Sequence, residues 1–235
     1  DLLGRPSFYA QEVRATEEVE ILPSGDQEAP EVEISALDAQ GEVRPEDFLP
    51  QQPRFQISIT DSSGIDAETV EIILKGETVE VSDGLSSAAV RDLVEQRSSL
   101  RFVYSPSLED DRYRLEVSAT DRLGNGPVSK TLLFRVSSEL RIERVLNVPN
   151  PVVEDTEFTY LLSRDSEVTI RIYTVSGRLI RVLDNLRGAV GFNQVHWNGR
   201  DGEGNRLANG ISLYTVTAEG GSDAIRVKER LIVYR

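Results

Sequence analysis

The 235-residue chain contains no cysteine and no methionine. Without cysteine it can form no disulfide bonds, no thiolate zinc sites and no thiol nucleophile. Because translation begins with methionine, we expect the sequence to be a processed or excised part of a longer polypeptide. It has no apolar run of roughly 18 residues, so no transmembrane segment is predicted. A secretory signal is also absent, as expected of a mature fragment.

Basic residues are scarce. The chain has 26 of them against 40 acidic residues, a net charge of -14. An acidic surface repels phosphate backbones, so no nucleic-acid partner is expected. His196 is the only histidine, and any Ser-His-Asp triad would have to use it. It alternates with Val195 and Trp197, which places Trp197 in a core and His196 on the opposite face, so we expect no catalysis.

Alternating apolar residues predict an all-β chain. Val32, Ile34 and Ala36 illustrate the period of two that a half-buried strand requires. Similar short runs, separated by turns rich in Gly, Pro and Asp, predict two tandem β-sandwiches. One segment departs from the pattern: residues 86–97 carry apolar side chains at i, i+1, i+4 and i+5. That spacing predicts one short helix in the first sandwich.

The sequence divides into three parts. Residues 1–28 are acidic and interrupted by a Pro-Ser-Gly turn, and they are interpreted as a linker or a strand of an upstream domain. Residues 29–138 form the first predicted sandwich and residues 139–235 the second. We expect the boundary between 138 and 149, where a Ser-Ser pair precedes a Pro-Asn-Pro motif.

Three motifs characterise the second sandwich: V-P-N-P-V from Val148, I-Y-T-V-S-G-R at 172–178, and W-N-G-R-D-G-E-G-N-R-L-A-N-G at 197–210. Their order resembles the C-terminal sorting domain of type IX secretion cargo and the related Ig-like module of FlgD-type hook-capping proteins. The chain departs from this pattern at Ser212, where the family usually has an aromatic residue. The first sandwich is loosely similar to bacterial Ig-like domains.

The resemblance implies a bacterial protein that is exported through the periplasm and outer membrane to the surface or beyond. The chain would then be the non-catalytic C-terminal portion of a larger protein, comprising an Ig-like spacer and a sorting domain. Its implied partners are the type IX translocon, outer-membrane shuttle or sortase proteins, and the upstream domain of its own polypeptide. Gingipain-like C25 peptidases and the related sortase carry such modules after a catalytic domain.

Two alternatives remain open from the residues alone. The chain is also compatible with an accessory protein- or carbohydrate-binding pair of sandwiches, or with a structural subunit of a surface assembly. An exposed row of aromatic side chains would favour binding of carbohydrate. Aromatic residues make up only 6% of the chain, and almost all of them alternate with predicted core positions.

Recognition of a sorting domain must use groups that the folded sandwich displays. We expect these at a tight turn, at the loop that follows Trp197 and on the final strand, whose basic residues are suited to an acidic partner. The residues are Gly177, Arg178, Arg200, Asp201, Arg226, Lys228 and Arg230.

Carboxylate and amide side chains in two turns of the first sandwich are the weaker candidates for a site. Asp61, Asp66, Asp121 and Asn125 carry the oxygen ligands that calcium prefers. The same residue types also form turns without any metal. We expect no cofactor, with calcium between these turns as the alternative. The loop at 201–205 begins like an EF-hand but lacks the required Gly and Glu further along.

Overall fold

The computed structural model describes residues 25–39 and 41–234, and these residues form β-strands without any helix. Accordingly, the described part of the chain holds no helix that is long and apolar enough to cross a bilayer. The strands of the first half are β1 (Glu31–Ala36), β2 (Asp47–Phe48), β3 (Phe55–Thr60), β4 (Ile65–Lys75), β5 (Glu80–Asp83), β6 (Val90–Gln96), β7 (Ser99–Tyr104), β8 (Asp111–Asp121) and β9 (Val128–Val136).

Two sheets face each other in the first half. One has the order β1-β3-β7-β6 and the other the order β2-β9-β8-β4-β5. Most neighbours are antiparallel, and β2 is parallel to β9. Apolar residues alternate inward along each strand, as Phe55, Ile57 and Ile59 do on β3, where all three are fully buried. The core is therefore built by the period-two pattern that the sequence displays.

The predicted helix at residues 86–97 is wrong. Val90–Gln96 forms β6, which pairs antiparallel with β7 through a bulge between Arg91 and Val94. Leu93 and Val94 remain 47% and 50% exposed, so the apolar spacing does not define a buried helical face. The backbone of β7 needs a hydrogen-bonding partner on this side. This requirement outweighs the helix-like spacing of a few apolar residues, because spacing alone does not distinguish a short helix from a strand.

The second half forms another pair of sheets. Its strands are β10 (Ile142–Val148), β11 (Thr156–Leu162), β12 (Ser166–Thr174), β13 (Leu179–Gly188), β14 (Gly191–Trp197), β15 (Gly210–Gly220) and β16 (Asp223–Val233). The sheet orders are β10-β11-β14 and β13-β12-β15-β16. In the core, the Phe158 ring lies 5.9 Å from Trp197 and 4.8 Å from Tyr214. Trp197 is only 2% exposed, which confirms its predicted core position.

A small apolar cluster joins the two sandwiches. It packs Phe48 of β2 against Leu161 and Val190 of the second half, with Phe192 beside them. The guanidinium of Arg135 lies 4.1 Å from the centre of the Phe48 ring. The same group pairs with a carboxylate across the joint, because its Nη2 is 2.7 Å from Glu143.

A second ion pair crosses the same joint, between Arg144 of the second sandwich and the buried Asp47 of the first, at 3.1 Å. A cation over an aromatic ring and an ion pair that is partly removed from water each contribute more than a fully exposed ion pair. The joint therefore resists bending.

We predict that Arg135→Ala weakens this joint. The substitution removes the stack on Phe48 and the pair with Glu143, so we expect a loss of about 1–3 kcal/mol in the free energy of unfolding. Calorimetry should show the two sandwiches unfolding less cooperatively, and small-angle scattering should show a larger radius of gyration.

Arg112→Ala is the matched control for this prediction. The Arg112 side chain is 66% exposed and its Nε lies 3.7 Å from Glu46, so its removal should change stability little. Wild-type cooperativity and dimensions in the Arg135→Ala protein would contradict the assigned role of the joint.

Candidate recognition surface

The outer face of the sheet β13-β12-β15-β16 gathers basic side chains from different strands. Arg171 of β12 lies opposite Thr215 of β15, and Thr215 lies opposite Lys228 of β16. Residues directly opposite in a ladder share a face of the sheet. Arg226 and Arg230 are two positions either side of Lys228 and share that face too. We call Arg171, Arg226, Lys228 and Arg230 the basic face.

The basic side chains also cover part of the sheet. Thr215 and Thr217 point to this outer face, yet they are only 8% and 5% exposed. The Nε of Arg226 donates a hydrogen bond to Oγ1 of Thr217 at 3.1 Å. Long basic side chains lay their aliphatic stems over apolar surface and keep the charge in water. The aliphatic stems of the basic face therefore pack on the sheet, and its charged groups remain in contact with water.

Charge is distributed unevenly between the two sandwiches. Residues 25–138 hold 22 acidic and 11 basic side chains, whereas residues 139–235 hold 13 of each. Within residues 25–39 and 41–234, no salt bridge involves a member of the basic face. The second sandwich thus presents unneutralised cations on a protein that is acidic overall, and this favours an acidic partner.

The same sheet face ends in exposed apolar residues. Ile211 and Ile232 are register partners, 54% and 41% exposed. Val175 and Tyr234, at the same end of the sheet, are 67% and 69% exposed. An apolar patch beside charged residues is typical of an interaction surface.

The turn at Gly177 and Arg178 lies at the other edge of this sheet. The N–H of Gly177 donates to the carbonyl of Thr174 at 3.0 Å, and Gly177 has a φ of +88°, which glycine adopts without strain. β13 and β16 are separated by two strands, which is about 14 Å at ordinary strand spacing. Arg178 and the basic residues of β16 therefore lie near opposite edges of the same sheet.

The loop after Trp197 is held mainly by its own hydrogen bonds. Nη1 of Arg200 donates to the carbonyl of Gly204 at 2.7 Å. The Asp201 carboxylate accepts the backbone N–H groups of Glu203 and Asn205, at 2.9 and 2.8 Å. These bonds, the one from Asn205 first, lower the pKa of Asp201. Arg200 and Asp201 thus help to hold the loop in its conformation.

An acidic cluster does form in the first sandwich. It brings Asp61 and Asp121 together with Asp26, with one carboxylate oxygen of each lying within 4.8 Å of the others. Asn125 is part of the same network, since its Nδ2 donates to Asp121 at 2.7 Å. Asp66 is not among the carboxylates that meet; it accepts the N–H of Glu68 at 3.1 Å.

Protein donors occupy both oxygens of the buried Asp121. Its Oδ1 accepts the backbone N–H groups of Leu123 and Asn125, at 2.9 and 2.7 Å. Its Oδ2 accepts the Ser63 hydroxyl at 2.8 Å in addition to the Asn125 amide. Burial raises the pKa of Asp121, but these hydrogen bonds outweigh burial and leave the pKa below its usual value. The Asp121 carboxylate therefore caps the turn at residues 121–125 and ties it to Ser63 of the other turn.

We predict that Asp121→Ala destabilises the first sandwich by about 2–4 kcal/mol, because it leaves buried donors unpaired. The contribution also depends on pH. A folded pKa below the unfolded value of about 3.9 means that the stabilisation is present above that pH and is lost as pH falls through the folded pKa. Urea unfolding measured between neutral pH and about pH 2 tests both statements.

Asp66→Ala is the control, since that carboxylate accepts one exposed N–H and its loss should cost little. Millimolar calcium should leave the unfolding midpoint of wild-type protein unchanged, because the Asp121 oxygens already have donors. A calcium-dependent rise that Asp121→Ala abolishes would contradict this assignment and support a metal site.

His196 lies on the exposed face of the sheet β10-β11-β14, as predicted. Its ring is 58% exposed, and Nδ1 is 2.8 Å from the carboxylate of Glu157, its register partner on β11. No hydroxyl among the described residues hydrogen-bonds this ring.

Two residues of these clusters could not be found from the sequence. Arg171 lies more than fifty positions before Lys228, and only the register of β12, β15 and β16 brings them to one face. Asp26 was assigned to the linker, yet it lies beside Asp61 and Asp121. Because acidic residues are abundant along the sequence, composition alone does not identify the few carboxylates that lie close together in the fold.

The fold is all-β, with two tandem pairs of sheets, so the predicted fold class is confirmed apart from the helix. Residues 153–224 match the family model of the FlgD Ig-like domain. The match spans β11 to the start of β16, less than a third of the chain. No curated protein matches the sequence.

Several solved structures match this chain at low TM-scores. Dimeric latent PorU from Porphyromonas gingivalis is 20% identical with a TM-score of 0.40; the match covers 88% of this chain and 20% of PorU. The titin fragment A168–169 is 14% identical with a TM-score of 0.30, covering 88% of this chain and all of that fragment. Fibronectin(III)-like modules of Clostridium thermocellum CbhA are 16% identical with a TM-score of 0.26, covering 86% and 94%. This chain spans about a fifth of the length of PorU.

Proposed function

We propose that this chain is the non-catalytic C-terminal portion of a larger secreted or cell-surface bacterial protein. Residues 29–138 serve as an Ig-like spacer, and residues 139–235 serve as a sorting domain recognised by the type IX secretion machinery. The observation that carries the proposal is the match of residues 153–224 to the FlgD Ig-like domain. The three sequence motifs that resemble sorting domains lie within or beside that range.

The joint between the sandwiches supports a spacer role. A spacer must hold its terminal module away from the domain before it, and a flexible joint would let the two collapse together. Here the Phe48 cluster and the pairs of Arg135 with Glu143 and of Arg144 with Asp47 restrain the joint. The first sandwich thereby presents the second in a fixed orientation.

The basic face supports a recognition role for the second sandwich. Secretion machinery must distinguish the folded module from other β-sandwiches, whose apolar core faces are all hidden. Arg226, Lys228 and Arg230 project from one strand, and Arg171 extends the same charge across the sheet. An acidic surface on a translocon or shuttle protein would bind these cations and gain association rate from the attraction.

The proposal assigns no catalytic role to this chain. The one histidine pairs with Glu157 on an open face, and no nucleophile is bonded to it within the described residues. A catalytic activity of the parent protein would belong to another part of its polypeptide. Tyr234 is the only aromatic residue among the described large exposed apolar side chains, so a carbohydrate-stacking row is not assembled there.

Export of a reporter tests the proposal. Residues 139–235 should be fused to the C-terminus of a neutral periplasmic protein in a bacterium that has type IX secretion. We expect the reporter at the cell surface or in the medium. Replacing Arg226, Lys228 and Arg230 by glutamate should reduce export at least tenfold, because the sign of the face is reversed.

Arg187→Glu is the control, since it reverses an exposed charge on β13, at the opposite edge of the same sheet. It should leave export unchanged. A folded, intact fusion that stays in the periplasm would show that the second sandwich is an Ig-like domain without a sorting role. Equal losses in both variants would remove the basic face from the mechanism.

A further inference from the structure

β16 is an edge strand of which only the last part is covered. The sheet order places it outside β15, with no strand beyond it among the described residues. The connection from β10 to β11 folds against its end. There Val152 donates to the carbonyl of Ile232 at 2.7 Å, and Tyr234 donates to the carbonyl of Val152 at 2.9 Å. The N–H of Ile232 donates to Oδ1 of Asn150 at 3.0 Å.

These bonds define the direction of every backbone group along the strand. Both the N–H and the C=O of Ile232 point away from β15, toward the edge. In an antiparallel ladder, the groups of alternate residues point to alternate sides. The register of β15 with β16 has no irregularity. The backbone N–H and C=O of Arg226 and Lys228 therefore also point outward, while those of Val227 and Glu229 bond to β15.

No described residue bonds to the outward backbone groups of Arg226 and Lys228. The stretch from Ala224 to Glu229 is thus an open edge of about six residues that ends where Asn150 begins to cover the strand. The backbone of an extended segment can pair with such an edge, which is the basis of recognition by strand addition.

Side chains on the two sides of this edge differ in character. Arg226 and Lys228 are exposed and lie on the basic face, with Arg230 next to them. Ile225 and Val227 point to the inner side, where they are partly buried against the core of the second sandwich. An added strand would therefore meet cations on one side and the apolar Ile225 and Val227 on the other, where Glu229 adds a carboxylate at the end nearest Asn150. Its own residues must alternate to match.

We propose that the Ala224–Glu229 edge binds an extended protein segment as a fifth strand, and that the segment alternates acidic with apolar residues. The acidic residues pair with Arg226 and Lys228, and the apolar residues extend the core beside Ile225 and Val227. This inference rests on the proposed recognition role of the second sandwich and gives that role a binding mode.

The charges and the cover together provide selectivity. Basic residues on an edge strand discourage pairing with basic or neutral strands, because the added charges would repel or stay unpaired. Asn150 closes one end, which limits the length that can pair. An anionic lipid surface would satisfy the side-chain charges but not the outward backbone N–H and C=O groups, so a protein segment is the occupant that matches both.

Binding of a designed peptide tests the proposal with the full chain. The probe is a fluorescein-labelled Glu-Val-Glu-Ile-Glu-Val-Glu peptide, with Lys-Val-Lys-Ile-Lys-Val-Lys as the charge control. We expect the acidic probe alone to bind at low ionic strength. Hydrogen exchange followed by NMR should show new protection at the amides of Arg226 and Lys228. The amides of Val227 and Glu229, already bonded to β15, should change little.

Three variants separate backbone pairing from charge attraction. Lys228→Ala removes the charge alone, Lys228→Pro removes the charge and one outward N–H without removing a bond to β15, and Lys228→Glu reverses the charge while keeping that N–H. We expect Lys228→Pro and Lys228→Glu each to weaken binding of the acidic probe at least tenfold, and Lys228→Ala to weaken it clearly less than Lys228→Pro. Lys130→Glu, on an exposed position of β9 in the first sandwich, is the matched control and should bind like wild type. The NMR spectra of all variants should otherwise retain the wild-type pattern, which shows that they fold.

Three results would overturn the proposal: no binding of the acidic probe to wild type, binding that protects amides elsewhere, or equal weakening by Lys130→Glu. Tight association with phosphatidylglycerol vesicles in place of the peptide would also overturn it and assign the face to lipid. The export assay remains independent. Export without peptide binding would reject this binding mode alone, whereas peptide binding without export would reject the sorting role and retain the edge as a peptide site.

Discussion

An open β-sheet must satisfy the backbone N–H and C=O groups of its outermost strands, and this requirement shapes much of the chain. At the end of β16 it is met by Asn150 and Val152, which the Pro149–Pro151 motif places against the strand. At β7 the requirement is met by residues 90–96, which form β6 and pair with β7. On the remainder of β16 no described residue bonds to the outward backbone groups, and basic side chains discourage pairing with unsuitable strands. The same physical demand thus produces a covered edge, an added strand and a charged edge.

Most strands follow from the sequence because one physical rule decides them. Where apolar residues alternate, as at Phe55–Ile59 or Val168–Ile172, one face is buried and the other is not, and no helix can bury that pattern. The segment from Ala89 to Val94 has no such constraint, because its apolar residues fit a helix face and a bulged strand equally well. The structure decides between them through the backbone of β7, which is a partner that the local sequence does not contain.

The residues of the candidate sites likewise fall into those that the sequence identifies and those that only the fold reveals. The basic residues of β16 could be identified because they alternate within one segment, and Asp61 and Asp121 because each begins a turn of similar composition. Arg171 and Asp26 could not, since their places depend on strand register and on the path of a distant segment. The contact of Arg135 with both Phe48 and Glu143 is of this second kind as well. Groups that lie close together along the chain can be identified from the sequence, whereas contacts between distant groups can be identified only from the folded structure.

The single tryptophan gives the chain an internal optical label. Trp197 lies in the core of the second sandwich, and its indole N–H donates to the carbonyl of Arg200 at 3.0 Å. The first sandwich contains tyrosine and phenylalanine but no tryptophan. Light of a wavelength too long for tyrosine to absorb will therefore excite one domain only. The emission of the unmodified protein reports the packing of its C-terminal domain and the closure of the loop at Arg200, whatever the neighbouring domain is doing.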